Sequence, residues 1–96
     1  MAYKLVFPES YIKRARAFIK KHPTLLKQYE KTLLLLERNP HHPSLRLHPL
    51  KGKLQGLHSV SINISYRITI ELIIIEQTII LINVGSHEEV YQAANL

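Results

Sequence analysis

The stretch that decides the fold runs from Tyr66 to Tyr91 and reads YRITIELIIIEQTIILINVGSHEEVY. Isoleucine, valine, threonine and tyrosine dominate its first nineteen residues, and β-branched and aromatic side chains favour extended chain over helix. We therefore predict two strands followed by a turn that carries functional residues. Arg67 stands at the entry to the first strand. Four candidates follow the second strand, where the chain must leave the sheet: Gly85, Ser86, His87 and Tyr91.

Polar and apolar residues also alternate just before this stretch, from His58 onwards. Such alternation predicts a strand with one buried face, and we expect the buried side chains to be Val60, Ile62 and Ile64. The last strand, from Thr78 to Val84, is apolar on both faces, which favours a central position in the sheet. Strand alternation places its Asn83 on the same face as Leu81.

The first forty residues predict a short strand and two helices. Residues 3–7 read as the strand, closed by Pro8. Ser10 is the expected N-cap of a helix running to about Lys21, and Thr24 is the expected start of a second helix that ends near Arg38. Both helices carry an apolar stripe that needs a cover. We therefore predict an α+β fold, in which an N-terminal helical hairpin packs on a small, mainly antiparallel β-sheet in one domain, residues 1–96.

Composition limits the classes of function. The chain has 96 residues, no cysteine and a net charge of +6. Without cysteine it has neither disulfides nor thiolate metal sites, so a reducing cytoplasm is its natural setting. Glu71, Glu76 and Gln77 interrupt the long apolar run, which disfavours a membrane span. All thirteen basic residues fall at or before Arg67. The basic part of the chain, residues 1–67, could bind nucleic acid, although its charges could also serve only to keep the protein surface soluble.

Common motifs for metal, nucleotide and serine-nucleophile chemistry are absent from the sequence. His41 and His42, together with His48, could in principle bind a metal ion. Adjacent loop histidines without a spaced carboxylate are more often ordinary surface residues, so we expect no metal and no other cofactor.

Three segments carry a family resemblance: HPLKGKLQG at 48–56, YRI at 66–68 and VGSHEEVY at 84–91. In this order they resemble the RelE/ParE superfamily of type II toxins, especially its YafQ-like and RelE-like ribosome-dependent mRNA interferases. The resemblance covers essentially the whole chain. It implies a RelE-like fold and a cytoplasmic toxin held in a hetero-oligomer by a cognate antitoxin. It also implies an enzyme that cuts mRNA on the ribosome by metal-free attack of a 2′-hydroxyl.

The resemblance implies two acid-base residues. His87 matches the histidine of the YafQ-like turn, where an imidazole can act as general acid or general base. The alternative is a histidine that merely lies in a surface turn. His48 matches the histidine of the family's HPL motif and is a second acid-base or orienting candidate. It could equally be a loop histidine that caps local backbone groups.

Two further site residues are implied. Arg67 matches the arginine of the RelE-like YR motif, which would balance charge on the phosphate in the transition state. Its alternative role is an ion pair with Glu71 on the same strand face. Tyr91 matches an aromatic residue near the family's C-terminus, which would stack on an mRNA base or orient the scissile phosphate.

The expected RNA contacts are less specific. Lys51 and Lys53 follow the HPL motif and would contact backbone phosphates. Tyr66 replaces a YafQ-like tryptophan, although it could instead be a core aromatic. Ser61, Ser65 and Asn83 stand where YafQ-like chains carry a histidine, an aspartate and an arginine, and of these three we expect Ser61 and Asn83 to contact RNA.

These departures keep two alternatives open. One is a catalytically weakened homologue that only binds antitoxin. The other is a ParE-like toxin that inhibits DNA gyrase without cutting RNA.

Overall fold

The computed structural model describes residues 2–92, with side chains up to Tyr91; residues 1 and 93–96 of the expected domain lie outside this range. Within residues 2–92, five strands form one sheet: β1 Lys4–Val6, β2 His48–Pro49, β3 His58–Ser61, β4 Tyr66–Ile73 and β5 Thr78–Ser86. Three helices accompany it: α1 Glu9–Lys21, α2 Leu26–Arg38 and α3 His87–Gln92. Short 3-10 turns lie at Pro23–Leu25, Pro43–Leu45 and Gly52–Leu54.

The strand order is β1-β5-β4-β3-β2. β1 pairs parallel with β5, and the other three pairings are antiparallel. The predicted α+β fold with a mainly antiparallel sheet is therefore confirmed. β5 lies inside the sheet, as its two apolar faces indicate. None of the helices within residues 2–92 has the length and apolar character needed to cross a membrane.

The core lies between the helical hairpin and one face of the sheet. Its buried residues come from α1, α2, β3, β4 and β5, and from two loop positions, Leu45 and Ile62. The element residues are Tyr11, Phe18, Tyr29, Leu36, Val60, Ile68, Ile70, Ile79, Leu81 and Val84. Within it, the hydroxyl groups of Tyr11 and Tyr29 lie 2.6 Å apart and form a buried hydrogen bond. This bond joins the two helices of the hairpin and satisfies both hydroxyls away from water.

Two helix starts differ from the predictions. α1 begins at Glu9, with Pro8 as its N-cap and no side-chain cap, so the expected cap at Ser10 is wrong. Proline suits this boundary because it has no N–H to leave unpaired, and the carbonyl of Pro8 accepts the N–H of Ile12 at 3.0 Å. Thr24 lies in a 3-10 turn, and α2 begins two residues later at Leu26.

β3 is shorter than predicted, which removes Ile64 from the core. The strand ends at Ser61, and the Asn63 side chain then accepts hydrogen bonds from the N–H groups of Ser65 and Tyr66 at 2.8 and 2.9 Å. This side-chain-stabilised turn competes with the strand. Ile64 lies at its tip and is 89% exposed, so the prediction that it packs inward is wrong.

A bulge in β5 reverses the expected side of Asn83. Thr69 pairs with Asn83, but the next residue of β4, Ile70, pairs with Leu81. Ile82 is therefore the extra residue of a β-bulge. Since Thr69 and Ile70 point to opposite faces of the sheet, so do Asn83 and Leu81, and the prediction that they share a face is wrong.

Candidate active site

Five residues line a pocket of about 270 Å³ on the side of the sheet that faces away from the helical hairpin: Arg46, His48, Arg67, His87 and Tyr91. Four of them are the residues that the resemblance names as catalytic. None of these five lining residues carries a negative charge, so the pocket has two guanidinium groups and two imidazoles without a carboxylate. Such a lining favours an anionic ligand such as a phosphate.

Arg67 projects from the start of β4 and is held by two hydrogen bonds. Its Nε–H donates to the Oγ of Ser59 at 3.0 Å, and its Nη2 donates to the backbone carbonyl of Arg46 at 3.2 Å. Ser59 is fully buried, so this contact fixes the Nε end of the guanidinium, where it joins the aliphatic part of the side chain. Arginine has five N–H donors, and within residues 2–92 these two bonds leave three for a ligand. The side chain thus bonds Ser59 and Arg46, which does not bear out the alternative of an ion pair with Glu71.

The direct passage from β5 into α3 positions His87 and Tyr91. The N–H of His87 donates to the carbonyl of Ser65 at 3.0 Å, which ties the start of α3 to the loop before β4. One helical turn later comes Tyr91. The two rings lie 4.3 Å apart between centroids, tilted by 38°, so the tyrosine restricts the orientation of the imidazole.

A capping box fixes the same helix. The N–H of Ser86 donates to the carboxylate of Glu89, and the N–H of Glu89 donates to the Oγ of Ser86, both at 3.1 Å. The hydrogen bonds from Ser86 lower the pKa of Glu89, and the charges of Lys21 and His22 add to this effect. Val90 is fully buried and anchors the helix on the sheet.

His48 and Arg46 come from the long loop between α2 and β3. His48 opens β2, the two-residue edge strand, and pairs with Ser59 of β3. Arg46 belongs to none of the three segments that carry the family resemblance. Its side chain reaches the pocket because its backbone adopts the left-handed conformation, with φ 49° and ψ 51°. The only sequence feature that indicated a turn here is the pair of turn-forming residues Pro43 and Ser44 just before it.

The predicted RNA contacts do not line this pocket. Tyr66 packs on the helical side, with its ring centroid 5.4 Å from that of Phe18 and 4.7 Å from that of His22. The core role that the sequence analysis left open for it is therefore the observed one.

Two further predicted contacts also lie elsewhere. The hydroxyl of Ser61 donates to the carbonyl of Asn63 at 2.6 Å, and its side chain is 9% exposed. Asn83 lines a separate groove with Arg14 and Lys21. Lys51 and Lys53 are exposed around the turn after β2, where they remain available to a long ligand.

A groove of about 470 Å³ beside α1 is larger than this pocket. Its lining is mostly apolar and includes the side chains of Phe7, Tyr11 and Ile19. It does not bring together an acid and a base. Across the described part of the chain, no group of three or more His, Cys, Asp or Glu side chains could hold a metal ion.

No protein-family model matches the sequence, and no curated protein matches it either. Solved structures do match. A YoeB/ParE toxin from Agrobacterium tumefaciens is 21% identical, with a TM-score of 0.69 over 88% of this chain and 98% of that one. A chain of the E. coli DinJ–YafQ toxin-antitoxin complex is 15% identical, with a TM-score of 0.74 over 95% and 99%. This chain has the RelE/ParE toxin fold.

A third match agrees with this assignment of the fold. A copper-bound mutant toxin from Helicobacter pylori is 25% identical, with a TM-score of 0.65 over 93% of this chain and 98% of that one. The RelE-like fold expected from the three sequence segments is therefore confirmed. Across these matches the RelE/ParE toxin fold is shared nearly end to end at low sequence identity.

Proposed function

We propose that the protein is the toxin of a type II toxin-antitoxin pair and an endoribonuclease that cuts mRNA on the ribosome. One observation carries the proposal: on this fold, His48, Arg67, His87 and Tyr91 converge on one pocket. Acid-base groups and a phosphate-binding cation are what RNA cleavage requires of a protein when side chains alone supply the chemistry, and the aromatic ring suits the stacking of a base.

The reaction begins with removal of a proton from the 2′-hydroxyl by one imidazole. The 2′ oxygen attacks the adjacent phosphorus, the bond from phosphorus to the 5′ oxygen breaks, and the second imidazole gives that oxygen a proton. The products are a 2′,3′-cyclic phosphate and a 5′-hydroxyl. His48 and His87 are the two imidazoles, and both are exposed to solvent, so each can exchange its proton with water between turnovers.

Arg67 stabilises the charge that accumulates on the phosphorane. Its Nε and one Nη2 hydrogen are held by Ser59 and Arg46, which pre-orients the remaining N–H groups. A donor that is already oriented costs no reorganisation in the transition state, and this is the main source of its catalytic effect.

Tyr91 has two roles in this scheme. Its ring packs beside the imidazole of His87, which keeps that group at the pocket. The side chain is only partly buried, so it also offers aromatic surface on which an mRNA base can stack. Lys51 and Lys53 would extend the basic surface along the RNA backbone.

An antitoxin is the proposed protein partner, supported by the crystallised DinJ–YafQ complex, whose toxin shares this fold. Exposed basic side chains on α1, such as Lys13 and Arg16, lie next to the apolar groove beside this helix, and this combination suits an acidic, amphipathic segment. A co-expressed acidic protein that restores growth and co-purifies with this chain would support the pairing. The protein would act in the cytoplasm, where the ribosomes are.

Induced expression followed by mapping of transcript ends tests the proposal. We expect translation to stop and new 5′ ends to appear within reading frames. Arg67→Ala and His87→Ala should each lower cleavage by about 100-fold or more while retaining antitoxin binding. If DNA replication fails while mRNA stays intact, the ParE-like alternative replaces this proposal. Full toxicity in both variants would remove the site assignment.

A further inference from the structure

Arg46 has a backbone conformation that arginine adopts only at a steric cost. Its φ of 49° lies in the left-handed region, which glycine occupies without penalty and other residues avoid. Three contacts hold it there, of which the first is the hydrogen bond from its own N–H to the carbonyl of Pro43 at 3.3 Å. The preceding residue, Leu45, is 1% exposed and belongs to the core, and the carbonyl of Arg46 accepts a hydrogen bond from Arg67.

This conformation places a second cation in the pocket. The side chain of Arg46 is exposed, whereas that of Arg67 is half-buried, so Arg46 lies nearer the mouth. Two guanidinium groups in one pocket repel each other, and neither Arg46 nor Arg67 has an acidic neighbour among the lining residues. A bound polyanion with more than one phosphate would offset both the repulsion and the backbone strain.

We propose that Arg46 binds the phosphate next to the scissile one, through its guanidinium, while its carbonyl orients Arg67. This inference rests on the proposed function and names a further substrate-binding residue of the same site. Arg67, which the sheet holds rigidly, binds the scissile phosphate. The neighbouring phosphate of the strand then lies at the mouth, within the range of the more exposed arginine.

The two arginines should differ in their kinetic effect. A contact to a flanking phosphate is made equally in the ground state and in the transition state, so its loss weakens binding and leaves the chemical step unchanged. Loss of Arg67 acts on the chemical step instead. The half-saturating toxin concentration and the maximal single-turnover rate on ribosome-bound mRNA separate these effects.

Arg46→Gly is the informative variant, because glycine keeps the carbonyl, relieves the left-handed strain and removes the guanidinium. Gln77→Gly is its matched control: Gln77 is also left-handed, with φ 50°, but lies at the opposite end of β4 from Arg67. We expect Arg46→Gly to raise the half-saturating concentration by about 3- to 10-fold, as for an exposed charged contact, with a maximal rate within about 2-fold of wild type. Gln77→Gly should change neither value.

A neutral methylphosphonate, placed in turn on each side of the scissile phosphate, identifies the contact. At one of the two positions the methylphosphonate should raise the half-saturating concentration of the wild-type protein by as much as the Arg46→Gly substitution does. With the Arg46→Gly protein, the same methylphosphonate should cause no further increase. Additive effects at both positions would overturn the inference, as would Arg46→Gly behaving like Gln77→Gly. Absence of cleavage by the wild type would overturn the proposed function itself. If the wild type cleaves and Arg67→Ala lowers its rate by about 100-fold, but Arg46→Gly leaves the half-saturating concentration unchanged, only this inference is overturned.

Discussion

Replacing Ser59 with alanine removes the hydroxyl that holds the Nε–H of Arg67 at 3.0 Å. Ser59 is fully buried, so the substitution changes no surface that RNA could touch. Ser61→Ala is a matched control from the same strand and the same face. Its hydroxyl is also buried but donates to the carbonyl of Asn63.

The two substitutions should cost similar stability and different activity. Each removes one hydrogen bond, which is typically worth about 1 kcal/mol of folding free energy. A hydrogen bond to a charged group is stronger, about 1.5–3 kcal/mol. The loss on removing Ser59 should lie at the lower end of this range, because Arg67 is half-exposed and keeps its bond to the Arg46 carbonyl. We therefore expect Ser59→Ala to lose about 1–2 kcal/mol of transition-state stabilisation, which is roughly a 5- to 30-fold lower cleavage rate.

The assay is single-turnover cleavage of ribosome-bound mRNA, with thermal melts of both variants as the measure of stability. Ser61→Ala should cleave within about 2-fold of wild type, and Ser59→Ala should lose rate at an unchanged half-saturating concentration. If both variants cleave at the wild-type rate, Ser59 does not act through the orientation of Arg67. If both lose rate equally, lower stability is the cause, and the role given to Ser59 is again refuted.

Two further predictions concern the scaffold. Tyr11→Phe should lower the free energy of unfolding by about 1–2 kcal/mol, because it leaves the buried hydroxyl of Tyr29 without its 2.6 Å partner; chemical denaturation measures this, and an unchanged midpoint would contradict it. Glu89→Gln should lower the melting temperature at neutral pH, because the carboxylate form is the one that Ser86 stabilises. Since the pKa of Glu89 lies below its ordinary value of 4.5, its stabilisation is complete above that pH and lost as the pH falls through the lowered value. The difference in melting temperature between wild type and Glu89→Gln should therefore disappear in acid, and a difference that persists there would count against the capping box.

Most of the core and the strands β1, β3, β4 and β5 could be predicted from residue patterns alone. Alternation in β3 and β4 correctly gave the side chains that face the helices, such as Val60 and Ile68, but Ser59 and Thr69 on the other face are buried as well. The failures lie where a turn or a strand pairing overrides the pattern. The Asn63 turn ended β3 early and exposed Ile64, and the bulge at Ile82 depends on pairing between distant strands, which alternation within one strand cannot reveal.

The site was predictable in part. The four residues expected to be catalytic came from motif resemblance, and the structure brings them to one pocket. Arg46 was missed because its position depends on a left-handed residue in an irregular loop. Tyr66 was expected at the RNA, although its neighbours on β4 already placed it on the face of Ile68, towards the helices.

The most direct test of the account uses an mRNA with a single 2′-deoxy nucleotide immediately 5′ of the bond that the protein cuts on the ribosome. If two imidazoles and Arg67 promote attack by the 2′ oxygen, cleavage at that bond should stop while neighbouring bonds remain sensitive. The unmodified mRNA should yield a 2′,3′-cyclic phosphate. Cleavage of the deoxy-substituted bond at the rate of the unmodified one would contradict the proposed mechanism.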